Sequence, residues 1–107
     1  MHPDSLPHLF KRTGQLICLF GAVLLVACAS APVQEMSDAR QAIRAAQDAG
    51  AANTAAQPLS EAQVALNRAE LQLKKRFFGA ARRNAEEAHQ KAALALEQAR
   101  EAKLEKK

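Results

Sequence analysis

Two hydrophobic rhythms divide the chain near residue 29. From Leu16 to Ala29, fourteen consecutive residues are apolar or small. Further on, apolar residues recur every three or four places and never in strict alternation. Such spacing lines one face of a helix, so the second part is predicted to be helical and free of strands.

Three segments carry the repeat. The first runs Met36, Ala39, Ile43, Ala46 and stops before Gly50, a residue suited to the position just past a helix end. The second runs Leu59, Ala62, Leu66, Ala69, Leu73, with Pro58 fitting a first helical turn. The third runs Ala81, Ala85, Ala88, Ala92, Ala95, Ala99, Ala102 in alternating steps of four and three, a heptad seam made of alanine. Helices are expected at about 35–49, 58–76 and 79–106, with a polar, Ala-rich connection from Gly50 to Gln57.

The seam residues say how these helices meet. A stripe of alanines offers no large knobs, so a partner axis can approach to the lower end of the usual ~8–10 Å range. The second segment alternates Leu with Ala and complements that stripe. Alanine also has the best helix propensity. The fold class predicted is all-α: an Ala-rich antiparallel helical hairpin, or a small three-helix coiled-coil-like bundle with the first helix beside the pair. A single rod from Leu59 to Lys106 is the alternative. Between the second and third segments the only conventional breaker is Gly79, and no Ser, Thr, Asp or Asn stands ready as an N-cap. Arg82 and Arg83 would also lie in the first turn of the third helix, the unfavourable end of its dipole for cations.

The N-terminal run is too short to span a bilayer. Fourteen helical residues rise roughly 21 Å at ~1.5 Å each, against a hydrocarbon core of ~30 Å. Lys11 and Arg12 precede the run and small residues end it, the anatomy of a secretory signal peptide over residues 1–27. Leu25-Val26-Ala27-Cys28 resembles the lipobox of bacterial lipoproteins. By that resemblance, Leu25, Val26 and Ala27 are read by the signal peptidase, cleavage falls after Ala27, and Cys28 receives the lipid. Two or more acyl chains hold stably where one anchors marginally. Ala29, rather than the Asp associated with inner-membrane retention, follows the cysteine, which favours the outer membrane facing the periplasm. Residues 28–34 would form the acylated cysteine and a tether, and residues 35–107 the helical domain.

Composition sharpens this. The chain has 107 residues, 49% hydrophobic and 4% aromatic, with two Cys, too few to staple a disulfide-rich scaffold. Loss of residues 1–27 removes Lys11, Arg12 and Asp4, leaving 13 Lys/Arg against 10 Asp/Glu, a net of +3. Charges of both signs are well mixed, and nucleic acid is not expected as a partner.

Residues Ala39, Ala46-x-x-Ala49-Gly50-Ala51, Leu59-x-x-Ala62, Leu66-x-x-Ala69 and Phe78-x-x-Ala81-Arg82-Arg83-x-Ala85-Glu86-Glu87-Ala88 resemble the short bacterial lipoproteins of domain-of-unknown-function family 4398. The resemblance covers nearly all of the chain after Cys28. It implies a cell-envelope lipoprotein built as a helical hairpin, with a Gly-Asp-Tyr-like turn similar to that of tetratricopeptide repeats, and it supplies no catalytic residues. Here Arg76, Phe77 and Phe78 occupy the turn, so its Gly and capping Asp are missing.

Chemistry is sparse. After Cys28 there is one His (His89) and three Ser, too little for a nucleophile–base pair or a zinc site. Glu86 and Glu87 are adjacent on a helix and point apart. No enzyme, cofactor, metal or small-molecule substrate is expected. The exception to an otherwise bland surface is the run from Lys74 to Arg83. Lys74, Lys75, Arg76, Arg82 and Arg83 are cationic, no residue of the run is acidic, and Phe77 and Phe78 lie in the middle. Val64, Leu71, Leu94 and Leu96 fall off the main seams and predict a second apolar stripe, suited to self-association or a helical partner. The expected role is a membrane-anchored helical interaction or scaffolding module in the cell envelope. The alternatives are a tether to peptidoglycan through Lys107, or binding of anionic lipid through residues 74–83.

Overall fold

The computed structural model describes residues 30–106. Leu25, Val26, Ala27, Cys28 and the rest of the expected signal peptide lie outside the described residues, as does Lys107. Four helices make up the described chain: α1 (Val33–Asp48), α2 (Ala51–Thr54), α3 (Ala56–Lys74) and α4 (Phe78–Glu105). No strand occurs among the described residues.

Which residues bury together gives the topology. Met36 packs with Ala69 and Ala85, and Ala39 packs with Ala65 and Ala88. Ile43 and Ala46 join Leu59, Ala62, Ala92, Ala95 and Ala99. Along α1, the partner numbers therefore rise in α4 and fall in α3. Helix α1 is parallel to α4 and antiparallel to α3, and α3 and α4 form the antiparallel hairpin. The result is an up-down-up bundle in which α4, roughly 42 Å long at ~1.5 Å per residue, packs against all three other helices.

Alanine makes this possible. Ala81, Ala85, Ala88, Ala92, Ala95 and Ala99 of α4 are all fully buried, and among the described residues the only large side chains buried with them are Met36, Ile43, Leu59 and Pro32. Short side chains let the backbones close on one another, so that dispersion between them replaces the bulk of leucines. Ion pairs between described residues cross the three main interfaces: Arg82–Glu35 at 3.1 Å (α4–α1), Arg40–Glu70 at 3.3 Å (α1–α3) and Lys91–Glu61 at 2.9 Å (α4–α3). All are partly solvated, so they set register more than they stabilise.

Several expectations are corrected. Helix α1 starts at Val33, with Pro32 before it, so its first turn takes in residues assigned to the tether. The 50–57 connection is not all loop, because Ala51–Thr54 forms a short helix and α3 begins at Ala56. Ala51 and Ala55 are buried there, which gives the connection an apolar side of its own. In α3 the buried set includes Ala65, which the single-seam reading omits, while Leu66 and Leu73 are only half-buried. Because α3 touches both α1 and α4, its buried arc is wider than one heptad stripe. Ala102 is likewise half-buried. Leu96 is not part of a free stripe, since it packs against the core; Val64, Leu71 and Leu94 are exposed.

Candidate functional site

The reversal between α3 and α4 falls at Lys75–Phe77, and Gly79 lies inside the first turn of α4. Arg76 supplies the turn. Its φ is 63°, the left-handed region, and it is the one non-glycine there among the described residues. The Arg76 N–H donates to the Leu73 carbonyl at 3.0 Å and the Phe77 N–H to the Gln72 carbonyl at 2.9 Å. This pair of bonds is the Schellman arrangement, which normally places glycine where Arg76 stands. The sequence-based resemblance to a Gly-Asp-Tyr-like turn thus corresponds to a real structural demand, met here by arginine. Phe77 occupies the N-cap position of α4 and makes no side-chain cap.

The cations of the 74–83 run do not act as one group. Lys74, Lys75, Arg76 and Arg83 are exposed, and none pairs with a carboxylate among the described residues. Arg82 is different. Its Nε donates to Glu35 Oε1 at 3.1 Å, which ties the second turn of α4 to the first turn of α1. Because α4 begins at Phe78, Arg82 and Arg83 are its fifth and sixth residues and lie past the first turn expected for them, where the helix dipole disfavours cations most. The Arg83 guanidinium folds back over Gly79, within 3.6 Å of where a side chain there would begin, and so points toward the turn. Phe77 is 59% exposed, whereas Phe78 is half-buried.

Behind the turn a polar relay braces the hairpin. Asn84 Nδ2 donates to Gln72 Oε1 at 2.6 Å and to the Ala80 carbonyl at 3.1 Å, while Arg68 Nη1 donates to Asn84 Oδ1 at 3.4 Å. Sequence reasoning missed both this relay and Glu35. Nothing local marks them, because Glu35 meets Arg82 only through the parallel register of α1 and α4.

A second feature runs along the α3–α4 hairpin. Two shallow grooves adjoin at Glu61 and Lys91, lined by α3 and α4 with Thr54 and Ala55, and by no α1 residue; the exposed Leu94 lines one and the exposed Val64 the other. Lys91 holds the Glu61 carboxyl below the usual carboxylate range by donating to it, with help from Gln57. Glu61 in turn raises the Lys91 ammonium. The exposed His89 lines a smaller depression with Glu35, Asp38, Glu86 and Gln90. Among the described residues no group of three or more His, Cys, Asp or Glu is arranged to hold a metal ion. No helix among them is long and apolar enough to cross a membrane.

The seam residues Leu59, Ala62, Leu66, Ala69, Leu73, Ala81, Ala85, Ala88, Ala92, Ala95 and Ala99 all lie at helix contacts or partly buried beside them. No curated protein and no solved structure matches the chain. The family model described as Domain of unknown function (DUF4398) matches residues 34–107, which takes in all four described helices but for Val33, and the chain belongs to that family.

Proposed function

We propose that the protein is a lipid-anchored, non-catalytic helical interaction module of the bacterial cell envelope, held at the outer membrane and facing the periplasm. The observation that carries this reading is the lipobox-like Leu25-Val26-Ala27-Cys28 at the end of an apolar run preceded by Lys11 and Arg12. The shape of the helical part supports it. Among the described residues the bundle buries no polar side chain and has shallow grooves along α3 and α4, a surface for a helix rather than for a small substrate. Val64 and Leu94 on that surface suit a helical partner or a second copy of the chain.

Growth with labelled palmitate, followed by mass analysis of the purified product, tests the anchor. The expected product starts at Cys28 and carries label, and Cys28→Ser removes the label. An unlabelled product still starting at Met1 would overturn the reading. Crosslinking with mass spectrometry in intact cells then identifies the partner through residues near Val64 and Leu94.

A further inference from the structure

The fold brings two distant parts of the chain to one end. The α3–α4 turn and the start of α1 are about 40 residues apart in sequence, yet Met36 packs with Ala69 and Ala85 and Glu35 pairs with Arg82. The place where the chain enters the bundle therefore lies beside the basic turn, and the Gly50 turn and Leu104 lie at the far end. Cys28 precedes Ala31 by three residues, a reach of at most about 10 Å at ~3.4 Å per residue. A lipid on Cys28 would hold this end, and not the other, against the bilayer. This inference rests on the anchor proposed above.

We infer that the end of the bundle carrying Lys74, Lys75, Arg76, Phe77 and Arg83 docks on anionic lipid headgroups of the membrane in which Cys28 is anchored, so that the bundle stands end-on. Four cations without carboxylate partners meet a surface of negative charge within about a Debye length of ~8–10 Å. Arg82 takes no part, because Glu35 already holds it. Phe77, 59% exposed, and Val33, 72% exposed at the start of α1, provide apolar contacts at the same end. Aromatic and aliphatic side chains flanked by cations suit the headgroup boundary. Arg76 adds an independent indication. It keeps a long cationic side chain at the apex in a backbone conformation that glycine adopts without strain.

The chain contains no tryptophan, so Phe77→Trp installs a single fluorescent reporter at the turn. The protein purified from membranes is placed in vesicles of phosphatidylcholine alone or mixed with phosphatidylglycerol. Only in the phosphatidylglycerol vesicles is the Phe77→Trp indole expected to shift to the blue, with severalfold stronger quenching by brominated lipid. Leu104→Trp, at the far end, is expected to behave identically in both. In the Phe77→Trp background, joint Gln substitution of Lys74, Lys75, Arg76 and Arg83 should abolish the contrast while helicity is kept, whereas Lys103→Gln should leave it. Equal emission in both vesicles overturns the inference. So does a shift produced by inorganic phosphate alone, a contrast that survives the fourfold substitution, or a photocrosslinker at position 77 that captures an acidic protein and no lipid. Palmitate label without contrast removes this inference and leaves the anchor, whereas contrast without label removes the anchor and with it the end-on attachment through Cys28.

Discussion

The two chain reversals of the bundle solve the same backbone problem with opposite residues. At the end of α1, Gly50 takes φ 87° and donates its N–H to the Gln47 carbonyl at 3.0 Å. At the end of α3, Arg76 takes φ 63° and donates to the Leu73 carbonyl at the same 3.0 Å. Each places a residue in the left-handed region immediately after the helix. For glycine this is free of steric cost, while a residue with Cβ loses about 1–2 kcal/mol. The fold therefore demands the same conformation at both ends. Gly50 meets it without strain, while Arg76 meets it with an exposed cationic side chain.

That comparison can be broken or sharpened by substitution. Both turns exist to bring alanine seams into contact, so the largest effect is expected where the seam is overfilled. Ala92→Leu places a bulky side chain at a fully buried position in the Ile43–Leu59 cluster and should cost about 1–3 kcal/mol or more. For a domain of this size that lowers Tm by roughly 4–8 °C per kcal/mol, readable by circular dichroism. A stable, unchanged variant would mean that the helices are not closely approached at this point.

Next is Gly50→Arg. Nothing lies within 4 Å of where its Cβ would stand, so the penalty is purely conformational and should be about 1–2 kcal/mol. The reciprocal change, Arg76→Gly, should raise stability by about 0.5–1 kcal/mol, since the relief of strain exceeds the added freedom of the unfolded chain. The turns lie at opposite ends of the bundle, so the swap Gly50→Arg with Arg76→Gly should be additive in chemical denaturation. Strong non-additivity would show that the two reversals are coupled. If Arg76 is kept for its charge, Arg76→Gly should also weaken the vesicle contact while it stabilises the fold.

The smallest effect concerns the Glu61–Lys91 pair. Lys91 lowers the Glu61 pKa by hydrogen bonding, so the stabilisation this carboxylate contributes is present above the usual carboxylate range and is lost as pH falls through its lowered value. The raised Lys91 contributes below the usual ammonium range and loses its contribution as pH rises through its raised value. Glu61→Gln should therefore lower Tm slightly at neutral pH, with the gap to the parent closing in acid. A gap that widens in acid would contradict the pairing.

Much of the architecture was legible in the spacing of small residues. Met36, Ala39, Ile43 and Ala46, and the alanines from Ala81 to Ala99, are buried as their three-and-four periodicity predicts, because a helix exposes such positions on one face whatever it packs against. The broader arc of α3 was not legible. Ala65 is buried, and Leu66 only half so, because α3 has two neighbours, and a linear heptad pattern encodes one. The break at Arg76 was also obscured, since Gly79 is the residue with intrinsic freedom and yet sits in the helix.

For this protein, local chemistry alone determined the helices, their alanine faces and the charged run near the hairpin. Those properties depend on residues a few positions apart, within reach of one another in any helix. Only the assembled bundle decided which of those cations remain free, since Arg82 finds Glu35 across 47 positions of chain. It alone also decided that the turn lies beside the start of α1, because the relative direction of helices depends on which faces bury together and not on any one of them.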